Sequence, residues 1–209
     1  FAIEEERLRR LKHWAGFPSK SIIKALDYEK ISLSDIDIVS VGRDPKAKFF
    51  KKLNHLIFNP SDALPILKNR IINLSKIVDI KNGLKNLKKG YPKKIEFNEH
   101  HKCHHSSAFF MSGFKNAICI SIDGSGDFTT SSIATADENG IRNIITSDYP
   151  NSIGIVYSSV TQFLGFPYYG DEYKLMGLAP YGEPIYLEEV SKLIRFSESK
   201  ILKISNKFF

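Results

Sequence analysis

Residues 116–147, NAICISIDGSGDFTTSSIATADENGIRNIITS, carry three runs of strand-forming residues separated by two turn-forming clusters. Apolar and polar side chains alternate in the first run, the period of a half-buried strand. The clusters DGSGD and ENG supply the Gly, Asp and Asn that accept the positive-φ backbone of tight turns. The stretch predicts three strands, with the first turn at DGSGD and the second at ENG. Whatever precedes and follows this meander must cover it.

The flanks read as mixed α and β. FAIEEERLRRLKHW predicts a strand that enters a charged loop or short helical turn. FPSKSIIKALDYEKI has Pro at a helix start and Ile22, Ile23 and Leu26 at helical spacing. SLSDIDIVSVG predicts a strand alternating at Ile36, Ile38 and Val41. Strand, helix, strand is an α/β opening. Residues 45–92 predict two helical stretches, with Ile66, Leu67, Ile71, Ile72 and Leu74 on one packed face. KKIEFNEHHKCHHSSAFFMSGF predicts a short strand, then a helix capped by Asn98. NSIGIVYSSVTQFLGF predicts an amphipathic helix after an Asn151/Ser152 cap, and YYGDEYKLMGLAPYGEP a Gly- and Pro-rich loop long enough to be functional.

The chain has 209 residues, enough for one sizeable domain or part of a larger one. At 42% hydrophobic and 25% charged it has the composition of a soluble globular protein. Two cysteines, Cys103 and Cys119, make no disulfide framework and suit a reduced, cytoplasmic setting. No apolar run reaches the roughly 18 residues of a membrane span, and no secretory leader is seen. A start at FAIEEER without Met and a stop at SNKFF predict a fragment. The net charge of +7 is uneven: residues 43–94 hold 14 Lys/Arg against 3 Asp, a balance of +11 that leaves −4 for the remainder. No groove-reading motif or aromatic interleaving accompanies this charge. It reads as a solvated, lysine-rich insertion, and nucleic acid is disfavoured as a partner.

Four clusters could carry chemistry. HHKCHH puts His100 with His104, and His101 with His105, four residues apart on one helix. Such a pair can chelate one metal ion through two ring nitrogens, though a carboxylate or substrate must complete the shell. The alternative is a pair of hydrogen-bonded structural histidines. Cys103 points elsewhere on that helix. In ISIDGSGD an apolar strand ends in Asp123, with Gly124, Gly126 and Asp127 after it. Glycines admit a phosphate or carbonyl close to backbone N–H groups, and the acid can hold a metal-bound water or orient a nucleophile. The alternative is an ordinary hairpin turn. EEERLRRLKH offers Arg10 and Lys12 as grips for phosphate oxygens, or a solvated salt-bridged turn. DEYKLMGLAPYG sets Lys174 among small residues, with Gly177 and Gly182 able to approach a nucleotide, or forms a structural loop.

Taken in order, EEERLRRLKHWAGFP, EHHKCHHSSAFF, DGSGD and SIGIVYSSVTQFLGFPYYGDEYKLMGLAPYG resemble the motifs of carbamoyltransferases of the nodulation-factor and cephamycin/tobramycin type. The resemblance covers positions 1 to about 184, interrupted by the basic stretch 43–94, and its last segment is long and specific. It implies an α/β fold of the actin-like ATPase superfamily, with duplicated ribonuclease-H-like halves, incomplete at both ends. Residues 1–209 would be part of one catalytic domain, 43–94 a basic helical insertion and 117–209 the start of the second half; a C-terminal activating domain would lie outside. That domain would make carbamoyladenylate from carbamoyl phosphate and ATP, and the carbamoyl group would pass to an acceptor hydroxyl. The resemblance implies a divalent metal, iron the expected ion, on His100 and His104, with Asp123 at the reacting centre. Gly124, Gly126 and Asp127 would line the phosphate site, Arg10 and Lys12 would contact anions, and Lys174 and Gly177 would line the nucleotide pocket. The chain departs from the family pattern at His105, where Ala is usual, and at Asp127, where Glu is usual. Two other readings are a tRNA threonylcarbamoyl transferase and a non-catalytic nucleotide-binding or basic interaction module. The resemblance implies no membrane partner, and it leaves a homodimer open.

Overall fold

The computed structural model describes residues 1–12, 14, 16–58, 80–168, 170–197 and 200–205. The chain divides into two compact units, 1–41 with 48–97, and 42–47 with 98–209.

The first unit has no strand at residues 1–4 and opens on helix α1, Glu5–Arg9, the short helical turn expected in the charged stretch. The charges explain it. Glu5 and Glu6 lie in the first turn and Arg7 and Arg9 in the last, each favourable to the helix dipole. Glu4 bonds Arg7 at 3.0 Å and Glu5 bonds Arg9 at 2.6 Å, contacts that need helical spacing. Helix α2, Ser19–Glu29, follows and buries Leu26. A 3-10 turn, Leu33–Asp35, leads into β1, Ile38–Val41, which pairs in parallel with β2, Lys94–Phe97. The turn shifts the expected strand alternation. Ile38 is half-exposed, whereas Ile36 and Val39 pack with Ile95 on the core of Leu26, Leu33 and Leu84. Between the strands lie α3, Phe49–Phe58, and a helical segment over 80–86. Ile66, Leu67, Ile71, Ile72 and Leu74 fall outside the described residues.

Glu5 ties this unit together. Its carboxylate accepts from the backbone N–H groups of Lys20 (3.2 Å) and Ser21 (2.7 Å), the first turn of α2, and from Arg9 (2.6 Å). Burial raises this carboxyl, but the Ser21, Lys20 and Arg9 hydrogen bonds outweigh it and pull it down to about 2. The linked stability is present above the ordinary value of 4.5 and is lost as pH falls from there through about 2. Glu5→Gln should cost on the order of 1–2 kcal/mol at neutral pH, after solvent screening. It should also flatten the acid limb of urea midpoints measured between pH 6 and pH 2.

The second unit holds the predicted meander: β3, Ala117–Gly126; β4, Thr129–Asp137; β5, Gly140–Asp148, antiparallel in that order. The first turn is not DGSGD. Gly124 and Gly126 lie within β3, and the turn residues are Asp127 and Phe128, at φ 53° and 78°. Gly126 pairs with Thr129 across them, and a bulge separates Ile122 from Gly126. The second turn falls at Glu138–Asn139, as ENG predicts.

One face of the sheet is covered by helix α4, His100–Ser112, through a core of Phe109, Cys119, Ala134 and Ala136. On β3 the alternation turns Cys119 and Ser121 inward and leaves Ile118, Ile120 and Ile122 exposed. Helix α5, Ile153–Phe163, starts at Ser152, whose hydroxyl accepts from the Ile155 N–H at 3.0 Å, the expected cap. The anticipated loop after it contains helix α6, Glu172–Leu178, and a 3-10 turn, Ala179–Tyr181. Helix α7, Leu187–Ser191, precedes a hairpin of β6, Ile194–Ser197, and β7, Lys200–Ile204. The Ser147 hydroxyl joins that hairpin to β5 by accepting from Leu202 N–H at 3.1 Å. Among the described residues no helix is long and apolar enough to cross a membrane.

Candidate metal centre

The site begins with how α4 starts. A helix leaves its first N–H groups without intrahelical partners. Here two acids from different parts of the chain take them. Glu99 accepts from His101 N–H (3.1 Å) and Lys102 N–H (2.8 Å), so Glu99, not Asn98, is the cap. Asp127 Oδ2 accepts from His100 N–H at 3.0 Å and from Asp44 N–H at 2.7 Å. Asp127 is buried, with the Arg43 guanidinium 3.9 Å from its other oxygen. Its observed partners are backbone amides that place the start of α4. Gly113 closes the helix in the left-handed region.

The two histidine pairs lie on adjacent faces of the helix, with the His101 ring 5.9 Å from those of His100 and His104. His101 and His105 are buried against the sheet. The Thr129 carbonyl can only accept, so His101 Nε2 donates to it at 3.0 Å and Nδ1 accepts from the Ser121 hydroxyl at 2.5 Å. Burial pushes both imidazoles below their ordinary value. His105 Nε2 meets Ser132 Oγ at 3.0 Å. This pair is the hydrogen-bonded structural alternative realised.

His100 and His104 are the open pair, with side chains 33% and 49% exposed. They converge with Asp123, which the β3 alternation carries to the same face as Cys119 and Ser121. His100 Nε2 lies 3.0 Å from Asp123 Oδ2 and 3.0 Å from His104 Nε2. His104 Nε2 lies 3.9 Å from Asp123 Oδ2. Asp123 Oδ1 is engaged by the Gly124 N–H at 2.6 Å, leaving Oδ2 to face the imidazoles.

This arrangement has an electrostatic consequence. His100 Nδ1 is 3.2 Å from the Gly42 carbonyl and must carry the proton there. In the neutral ring Nε2 is then a lone pair, aimed at a carboxylate oxygen and a second imidazole nitrogen. A proton on an imidazole nitrogen or a bound cation relieves the repulsion among these three atoms. Bonds of about 2.1 Å place neighbouring ligand atoms roughly 3.0–3.4 Å apart. The two 3.0 Å separations fit a divalent cation, and the 3.9 Å between His104 and Asp123 would have to close or span a wide angle. The Gly42 carbonyl does for His100 what outer hydrogen bonds do for metal-bound histidines: it fixes tautomer and ring plane.

Gly126 makes room for this ring. A Cβ there would stand 2.0 Å from His100 Cδ2, 2.3 Å from Cγ and 2.8 Å from Cβ. Cys103 lies beneath Gly42 and is not among the converging atoms; burial raises its thiol.

Of the other expected site residues, Lys174 and Gly177 are not among the converging atoms. Lys174, on α6, binds Asp171 at 2.6 Å, which raises its ammonium. Gly177 is exposed, and a Cβ there would meet nothing. Arg10 and Lys12 belong to the first unit, exposed around a shallow depression with Glu6, Arg7 and Leu11. Gly42, Ser121 and Thr129, which orient the histidines, carry no motif by which spacing could have found them.

The family described as Carbamoyltransferase N-terminus matches residues 1–207. An uncharacterized protein of Synechocystis sp. is 35% identical over 196 residues, covering 90% of this chain and 32% of the relative. Nodulation protein NolNO of Sinorhizobium fredii is 35% identical over 190 residues, covering 88% of this chain and 26% of the relative. Nodulation protein NolO of Bradyrhizobium diazoefficiens is 42% identical over 85 residues, covering 41% and 15%. The chain thus spans about a third or less of the length of these curated relatives. A match over nearly its whole length shows that the chain belongs to the carbamoyltransferase N-terminus family.

Proposed function

We propose that the full-length protein is an O-carbamoyltransferase that uses carbamoyl phosphate and ATP, by way of carbamoyladenylate, to carbamoylate a hydroxyl of a small molecule or sugar. The observation that carries this reading is the convergence of His100, His104 and Asp123 in a member of this family. The α/β organisation is consistent with the actin-like ATPase fold that the resemblance implies, with the activating domain C-terminal to this region.

In this mechanism His100 Nε2 and His104 Nε2, with Asp123 Oδ2 beside them, would hold a divalent cation, iron(II) being the ion the resemblance implies. The cation would supply Lewis-acid polarisation and a template for the carbamoyl phosphate group. The chain's own residues do the rest. Gly42 keeps the His100 proton on Nδ1, and Asp127 keeps the helix start in place. Asp123, with Oδ1 held by Gly124, would stand at the reacting centre and orient the acceptor hydroxyl. Gly124 and Gly126 border the phosphate group. Arg10 and Lys12 are assigned anion contacts, and Lys174 and Gly177 the nucleotide side. Two cysteines without a disulfide suit a cytoplasmic enzyme.

The test is pyrophosphate release from ATP by the full-length protein, with and without carbamoyl phosphate. Strict dependence on carbamoyl phosphate is expected. Release without it, or none with folded and metal-loaded protein, overturns the proposal. Salt-dependent tRNA binding with a threonylcarbamoyl product would assign the tRNA-modifying reaction instead, the one reading the basic stretch favours.

A further inference from the structure

Helix α5 begins against the end of β3. The Ser152 hydroxyl is fully buried and lies 3.0 Å from the Asp123 carbonyl and 2.6 Å from the Gly124 carbonyl. It donates its one proton to these oxygens and accepts from Ile155 N–H. Two residues on, Gly154 comes closer still. A Cβ at 154 would stand 2.6 Å from Gly124 N, 2.7 Å from Gly124 Cα and 2.8 Å from the Asp123 carbonyl carbon. All three are backbone atoms, so no flexible side chain can swing aside. Gly154 is helical and its φ is not positive. Its conformation therefore does not require glycine; the close approach does.

We infer that Gly154, with Ser152, is a positioning residue for the cation site: the first turn of α5 sets where Asp123 Oδ2 stands relative to the two imidazoles. The inference rests on the cation reading above. Asp123 is the last residue before Gly124, and its Oδ1 is held by the Gly124 N–H. Moving the Asp123–Gly124 peptide therefore moves the carboxylate. Ordinary carbon contact begins near 3.4 Å, so a methyl at 154 must open the gap by roughly 0.8 Å. A metal site tolerates about 0.2 Å in its ligand distances. The imidazoles have supports of their own, His100 on the Gly42 carbonyl and His104 against His100, so they need not follow the carboxylate.

The experiment titrates Co(II) into full-length wild type, Gly154→Ala, Ser152→Gly and Ser159→Ala, reading the visible d–d bands. Denaturant midpoints of the metal-free proteins are taken in parallel. Gly154→Ala should bind Co(II) about 10- to 100-fold more weakly, with altered band intensity reflecting loss of an oxygen ligand. Ser152→Gly keeps most of the cap and should weaken binding a few-fold. Ser159→Ala, on the same helix but bonded only to the Ile155 carbonyl, should bind as wild type. Wild-type affinity and spectrum in folded Gly154→Ala overturn the positioning role alone. If Gly154→Ala does not fold, Ser152→Gly decides on the same criteria. No Co(II) binding by wild type, or equal binding by His100→Ala, overturns the cation reading and the inference with it.

Discussion

On the proposed function, full-length protein carrying His104→Ala should lose divalent-cation binding and carbamoyl transfer while keeping its fold. His104 is about half-exposed, and its imidazole lies against His100, His101 and Asp123 without burying a hydrogen bond of its own in the core. Truncating it leaves no buried group unsatisfied, so stability should stay within about 0.5 kcal/mol of wild type. Affinity should not hold: a donor set reduced from three protein atoms to two should bind at least about 100-fold more weakly. Transfer should fall by a similar factor, since a Lewis acid contributes several kcal/mol of charge stabilisation. Metal content by elemental analysis, transfer rate and urea midpoint together check this. Normal metal content and rate would remove His104 from the site. The neighbouring substitution His101→Ala should do the reverse of a clean loss. It orphans the Ser121 hydroxyl and the Thr129 carbonyl inside the sheet and should cost on the order of 2–4 kcal/mol.

Gly126→Ala should damage fold and site together. The new methyl would overlap the His100 ring and its Cβ. A ring can rotate away from a tip contact, but a Cβ contact moves only with the backbone. That backbone is held by Asp127 through the His100 N–H, and the ring by Gly42. Relief must therefore shift the first turn of α4. Overpacking of this kind costs about 1–3 kcal/mol, and cation affinity should fall at least about tenfold. Gly124→Ala is the contrast: its Cβ would meet nothing within 4 Å, so the urea midpoint should stay near wild type. Equal midpoints and equal affinities for Gly126→Ala and wild type would show that the helix start yields freely.

These outcomes explain which parts of the molecule were legible in the sequence. Helical spacing alone puts His100 and His104 on one face, because i, i+4 is a local relation. The meander was legible for the same reason. Spacing does not say which histidine pair is open, because that depends on Ser121, Thr129 and Ser132 arriving from β3 and β4; only the family resemblance singled out His100 and His104. The misplaced first turn has a specific cause. Glycine is the usual occupant of positive φ, yet here Asp127 and Phe128 take it and the glycines serve steric ends. The Asp127 carboxylate gains two backbone hydrogen bonds from that conformation, an offset visible only after folding. The cap moved from Asn98 to Glu99 because Asp127 already takes the His100 N–H, leaving the next two amides for a longer acid. At the amino end, FAI reads apolar and extended locally, but the acid and base spacing after it is helical.

The alternation of β3 divides one strand between two audiences. Its odd positions, Cys119, Ser121 and Asp123, answer to α4; its even positions, Ile118, Ile120 and Ile122, answer to whatever adjoins the outer face. Exchanging the even set among isoleucine, valine and leucine leaves every hydrogen bond of the histidine helix as it is. A relative could therefore re-tailor its outward contacts without disturbing the inward ones, while a single-residue slip of the strand would exchange the two roles at once.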